Sequence, residues 1–423
     1  MILKRLIFLY FILLILEGAL RKWFLPGLAT PLLLVRDPVV LAIYFIAFQQ
    51  RLFPLNNWVM AALGMAGLAS LTTLVVGHGH IPTIAFGVRA NFLHVPLIFV
   101  MARALDVSDV WRYATWMLYI ALPMTVLLAV QFLSPPTAWV NVGIGGEGTA
   151  SFDGVGDRMR SSGTFSFING LVAFYTLAFS CWLAHLLNSD RRTAVPGWLL
   201  AACGAALILS IPLSISRHLM VGAGIVAAGA AAVFLRSPGG GKLLARVVLV
   251  VGIALVVASQ LPIFDEALGV MEQRVEQAAE IEGTADEVFV HRIWNDLAGP
   301  LRAIDFGEPF GIGLGAGTQA GAQLFMGQRG FHGGEGEWWR LLWEMGFLLG
   351  GFFILYRFWL TVRMALFGWY WLKGGNPLPW LIFLAAGPLV LNGQWGQSTA
   401  LGFAVFGAGL CLAAGRLAPT AQD

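Results

Sequence analysis

The chain predicts an all-α polytopic membrane protein, and three features of the sequence predict it. It carries too little charge to cover a water-facing surface, its apolar residues fall in long runs, and polar turns separate those runs. Of 423 residues, 58% are hydrophobic and only 12% charged, with a mean hydropathy of +0.76. A soluble domain is normally about 25% charged. Lipid, where charge is expensive, accepts the lower figure. The 16 Trp and 51 Gly agree, since Trp collects at membrane interfaces and Gly is commoner in membrane helices than in soluble ones.

A spanning helix needs about 20 mostly apolar residues. About twelve segments qualify, near 3–20, 31–49, 57–76, 82–102, 111–133, 166–187, 196–214, 217–235, 243–262, 338–361, 377–392 and 398–415. The second and fourth contain polar groups: Arg36 and Asp37 in one, Arg89, Asn91 and His94 in the other. Lys4 and Arg5 precede the first run, and Glu17-Gly18-Ala19-Leu20-Arg21-Lys22-Trp23 follows it without a small-residue cleavage site. A retained first helix is expected. Cys181, Cys203 and Cys411 sit in apolar runs without metal-ligand spacing and read as buried small side chains.

With twelve crossings, Lys4, Arg5, Arg51, Arg103, Arg112, Arg191, Arg192, Arg236, Lys242, Arg246, Arg363, Lys373 and Arg416 fall on one side. That side is expected to be the cytoplasm, with both termini there. Arg21 and Lys22 are the exception, on the opposite side. Two long loops face outward, about 134–165 and 263–335. In the second, twelve carboxylates outnumber four arginines, a net of eight negative charges. This divides the chain into helices one to nine (1–262), the large loop (263–336) and helices ten to twelve (337–423). Glu266 to Ile304 reads as helical with a break at Glu282-Gly283-Thr284, and Phe306 to Gly330 as Gly-rich and irregular. No repeat of fixed period is visible. The net charge of +3 gives no reason to expect nucleic acid.

Four stretches can carry chemistry. Ser214-Ile215-Ser216-Arg217-His218 places a forked cation at a helix start, suited to a phosphate or carboxylate, or else a snorkelling Arg. His291-Arg292-Ile293-Trp294-Asn295-Asp296 offers a second anion ligand, or else a solvated helical face. Gly311-Ile312-Gly313-Leu314-Gly315-Ala316-Gly317-Thr318 allows close backbone approach, or is a plain turn. No strand precedes it, so it is not a dinucleotide-binding fingerprint.

The fourth stretch is the most informative. It runs from Phe331-His332-Gly333-Gly334-Glu335-Gly336-Glu337 into Trp338-Trp339-Arg340 and on to Glu344. Glu337, Arg340 and Glu344 share a helical face. Ionisable groups entering a membrane helix mark a site by default, the alternative being a structural pair of Arg340 with Glu337 or Glu344. Arg36 and Asp37 are too deep to stand unpaired and read as a buried pair. Arg89 with Asn91 reads as a possible cavity lining.

In their order and topology these motifs resemble the O-antigen ligase and polymerase superfamily of bacterial inner-membrane enzymes. The matching features are Ser216-Arg217 opening a helix, Arg292 with Trp294 in the large loop, Pro309-Phe310-Gly311-Ile312-Gly313-Leu314-Gly315, and Glu344-Met345-Gly346. Glu17 to Trp23 and Val35-Arg36-Asp37-Pro38 look like a polymerase-type branch. The chain departs from the family at one position: counting back from Glu344, the family's acceptor-activating His falls on Glu335, with His332 three residues earlier.

The resemblance implies a GT-C-like polysaccharide polymerase of the bacterial inner membrane, with its active site at the periplasmic face. It would transfer a glycan from undecaprenyl pyrophosphate to a hydroxyl of another lipid-linked repeat unit. Arg217 and Arg292 would hold the diphosphate, with Arg89 and Arg340 as further candidates. Glu335 would be the base, with His332 or Glu337 as fallbacks. Direct displacement would invert the anomeric centre. The loop shows no Asp-x-Asp pattern, so neither metal nor cofactor is expected. A chain-length regulator would be a partner. A ligase acting on lipid A-core, or a non-enzymatic glycan transporter, are the competing readings.

Overall fold

The computed structural model describes residues 1–146, 158–188, 195–236, 240–282, 309–327 and 336–416. Each of the twelve apolar segments is helical, and no strand occurs among the described residues. The helices are α1 Ile2–Ala19, α2 Arg36–Gln49, led in by helical turns from Pro26, α3 Asn57–Val75, and α4 Ile81–Ala104. Then come α5 Val107–Leu133, α6 Ile168–Leu187, α7 Gly197–Leu213, α8 Arg217–Arg236, and α9 Gly240–Ser259. The set closes with α10 Pro262–Glu282, α11 Gln319–Met326, α12 Glu337–Lys373, α13 Leu378–Asn392 and α14 Ser398–Ala413.

Eight described helices are long and apolar enough to cross a membrane. Helices α7, α13 and α14 are apolar but shorter, and α1 has 18 residues including Lys4, Arg5 and Glu17. The chain is an all-α membrane protein of many helices.

Burial sorts the helices into core and rim. Nearly every residue of α6 and α14 is buried; α6 packs against α5, α7, α8, α13 and α14, and α14 against α4 and α13. Small residues let α14 sit this close: a Cβ on Gly409 would strike Met101, and one on Gly407 would strike Ala386. Close backbone approach is how membrane helices gain packing energy, because lipid supplies no hydrophobic drive between them. Helix α9 is the opposite case, with Val248, Leu249 and Val256 exposed.

Hydrogen bonds show which loops share an end of the bundle. At one end, Lys4 Nζ donates to Asp106 at 2.9 Å, Val107 N to the Arg416 carbonyl at 3.1 Å, Arg103 to the Phe53 carbonyl at 3.4 Å, and Asn376 to the Ala414 carbonyl at 3.0 Å. At the other, Lys22 donates to the Gly163 carbonyl at 2.7 Å, and His78 N to the Ile312 carbonyl at 3.1 Å. Asn169 there donates to Gln394 at 3.0 Å. The loops around Lys4, Phe53, Arg103, Asn376 and Arg416 therefore meet in space, and Arg21 and Lys22 belong to the second end. Among its described residues, the large-loop region departs from the sequence expectation in one place. Residues 319–326 form helix α11, started by Thr318 Oγ1 accepting from Gly321 N at 3.0 Å.

Two helices are bent where they face one another. In α4, Arg89–Leu93 forms a wide π turn just before Pro96, whose ring cannot donate into the ladder. In α12, Gly346–Gly350 forms another, and Gly346 has φ +66°. A Cβ at Gly346 would meet the Pro309 carbonyl at 2.2 Å, so only glycine fits. Phe92 and Phe353 pack against each other beside the two bends, rings tilted at 52° with centroids 4.8 Å apart.

Candidate functional site

Two buried polar clusters form one layer toward the Lys22 end. The first begins where α1 runs on into a π turn, Leu20–Phe24. The extra residue in that turn brings both Arg21 and Lys22 inward, and both are buried. Glu17 Oε2 accepts from Arg36 Nε at 2.9 Å; Glu17 Oε1 accepts from Ser398 Oγ at 3.1 Å and faces Arg21 Nη1 at 3.5 Å. Arg36 also donates to the Tyr10 hydroxyl at 3.3 Å and to the Ser398 carbonyl.

The chain of contacts then passes from Tyr10 Oη to His94 Nδ1 at 3.2 Å. From there it runs from His94 Nε2 to Asp37 Oδ1 at 3.0 Å. Because the Asp37 carboxylate can only accept, Nε2 carries the hydrogen and Nδ1 accepts from Tyr10. Asp37 Oδ2 accepts from Arg89 Nε at 2.8 Å, and Arg89 Nη2 donates to the Leu33 carbonyl at 2.8 Å. Arg36 and Asp37 are thus not paired with each other. Adjacent on the first turn of α2, they point to different neighbours.

The second cluster sits on the first turns of α12. Arg340 Nε and Nη2 hold both oxygens of Glu337 at 3.0 and 2.7 Å. Its Nη1 meets Glu344 at 2.9 Å, and Nη2 reaches Asn91 on the bend of α4 at 2.7 Å. Arg357 adds a bond to Glu337 Oε1 at 2.8 Å, caps the Val390 and Gly393 carbonyls at 2.8 Å each, and lies 4.1 Å from the Trp395 ring. Two guanidiniums and two carboxylates close on themselves.

The Gly-rich run 311–317 is a pinned strap around this quartet. Ile312 N and Gly313 N donate to the Trp343 and Glu344 carbonyls at 3.1 and 2.9 Å, Leu314 N to Thr73 at 2.9 Å, and Gly317 N to Glu344 Oε1 at 2.8 Å. Gly315, at φ +93°, lies so close to α4 that a Cβ would meet the Thr83 carbonyl at 2.2 Å. The spacing of its glycines serves backbone contact with α3, α4 and α12.

The expected site residues divide accordingly. Arg292, His332 and Glu335 lie outside the described residues. Arg217 opens α8, directly after the buried Ser216. Trp380 Nε1 donates to the Gly229 carbonyl at 2.9 Å, which sets the later half of α8 beside the start of α13. Arg217 therefore lies at the Lys22 end. Arg89 and Arg340, expected as diphosphate ligands, are engaged by Asp37 and by Glu337 and Glu344. Glu337, expected as a fallback base, has its lone pairs held by two guanidiniums and serves as a structural anion.

Sequence reasoning did not single out Arg357. Its only signal was a lone charge inside an apolar run. Against the same helix lies an apolar groove of about 510 Å³ between Trp338, Leu342, Phe347, Phe352, Leu355 and Phe358. No family model matches this chain, and no curated protein is significantly similar to it.

Proposed function

We propose that the protein is a polysaccharide polymerase that joins lipid-linked repeat units at the outer face of a bacterial inner membrane. Twelve crossings, cytoplasmic termini and a periplasmic large loop complete the reading. One observation carries it: among the described residues, the buried layer holds six basic side chains (Arg21, Lys22, Arg36, Arg89, Arg340, Arg357) against four carboxylates (Glu17, Asp37, Glu337, Glu344). That surplus of two positive charges lies in a bundle that also presents an apolar groove on α12. An anionic headgroup on a long apolar tail, as in an undecaprenyl-pyrophosphate-linked glycan, suits that pairing. The motif order around Ser216-Arg217, Arg292 and Glu344-Met345-Gly346 adds the glycan-transfer chemistry by resemblance.

In this mechanism Arg217 and Arg292 neutralise the diphosphate as the glycosidic bond breaks. Glu335 takes the proton of the acceptor hydroxyl, with His332 nearby. The hydroxyl oxygen attacks the anomeric carbon, the diphosphate leaves with the bonding pair, and the centre inverts. Arg340, Glu337 and Arg357 position the helix that follows Glu335. The test uses purified full-length protein with lipid-linked repeat unit as the sole substrate. Wild type lengthens the glycan, and Arg217→Ala, Arg292→Ala and Glu335→Gln each slow it by about 10²-fold or more. No lengthening by wild type defeats the polymerase reading. Wild-type rates in all three variants defeat the residue assignment.

A further inference from the structure

We infer that Lys22 is the centre of a second oxyanion site, one that takes a single carboxylate or phosphate group at the same end of the bundle. The surplus positive charge of the layer localises here. Lys22 is 1% exposed, yet among the described residues its ammonium donates hydrogen bonds only to Ser162 Oγ at 3.2 Å and the Gly163 carbonyl at 2.7 Å, and it lies over the Trp23 ring. Both acceptors are neutral, and one of its three N–H groups has no hydrogen-bond acceptor among the described residues. A buried ammonium without a counter-ion is costly, and among the described residues the nearby carboxylates do not supply one. Glu17 is taken by Arg36, Arg21 and Ser398, and Asp37 by Arg89 and His94.

A second observation is independent of the charge. Ser161, 3% exposed and adjacent to the Lys22 ligand Ser162, has a buried hydroxyl with no partner among the described residues. So has the indole Nε1 of Trp23, whose ring lies 4.7 Å from Lys22 Nζ. Native structures rarely leave buried donors unmatched. One cation and two neutral donors, all short of an acceptor, form the recognition set for one oxyanion. The set is too small for a diphosphate. It fits a uronate carboxylate on an acidic sugar or the phosphate of a lipid headgroup. The half-buried Trp23 ring, tilted against Trp139 at 5.7 Å, forms the outer wall. The site stands whether or not the protein polymerises glycans.

The test is thermal unfolding of the full-length protein in a neutral detergent and chloride buffer, titrated with inorganic phosphate or with D-glucuronate, and with D-glucose as the neutral control. A saturable rise in the midpoint with at least one anion, and none with glucose, is expected. Phosphate alone points to a headgroup and glucuronate to an acidic sugar. Lys22→Met weakens the apparent affinity by about tenfold or more, the worth of one charge-assisted bond, and Lys22→Arg retains most of it. Ser161→Ala and Trp23→Phe, each removing one neutral donor, decide the matter if Lys22→Met does not fold. An absent or non-saturable response to both anions overturns the site. So does an anion response unchanged in Lys22→Met, or unchanged in both Ser161→Ala and Trp23→Phe.

Discussion

The two halves of the polar layer are built from the same residue types and do opposite things. Around Arg340 the charges balance, every carboxylate oxygen meets a donor, and the Gly-rich strap closes over the group. Around Lys22 the cations outnumber the anions and donors are left over. A balanced buried quartet holds α4, α12, α13 and the strap in register. An unbalanced one leaves, among the described residues, donors for an anion to meet. Burial of charge alone does not separate structure from function; the balance of the charges does.

The sharpest way to break this contrast is to remove one charge from each side. Arg357→Ala leaves Glu337 with less compensation in a water-free site, and a broken buried pair costs about 3–5 kcal/mol. A large fall in unfolding midpoint and in membrane yield is the expected result. An unchanged midpoint would mean the quartet is not what locks the helix. Next in size is Gly315→Ala. It sets a Cβ against the Thr83 carbonyl at a positive φ, with a cost of about 1–3 kcal/mol, read by unfolding and by faster proteolysis within 309–327.

Lys22→Met goes the other way. It removes a buried charge that no carboxylate among the described residues compensates, so its stability without added anion changes by less than about 1 kcal/mol or rises. A loss as large as that of Arg357→Ala would erase the distinction between the clusters.

The smallest effect concerns His78, between α3 and α4. Burial pushes its imidazole below the ordinary value. Its Nδ1 accepts from His80 N at 3.0 Å, and Nε2 faces the Leu314 carbonyl at 3.3 Å. The neutral form is therefore the one the fold prefers. Its contribution is complete above the ordinary imidazole pKa, about 6.5, and is lost as pH falls through the lower folded value. Proteolysis of the strap should speed up on acidification, and His78→Asn should flatten that dependence.

The amino-acid sequence by itself determined the all-α membrane class and the apolar segments that became helices. Run length and hydropathy are local properties, and lipid forces backbone polar groups to bond within each segment. It also determined that Glu337, Arg340 and Glu344 would share a face, because a helix repeats every 3.6 residues. Only the tertiary structure decided the partners. Arg36 and Asp37 are neighbours in the chain, yet one bonds Glu17 on α1 and the other Arg89 and His94 on α4. Arg357, 20 residues beyond Glu337, returns to the same carboxylate. Arg21 and Lys22 looked like an exception to a topology rule and proved to be the buried, cation-rich edge of the layer. Charge balance is a sum over helices far apart in sequence, and no local pattern records it.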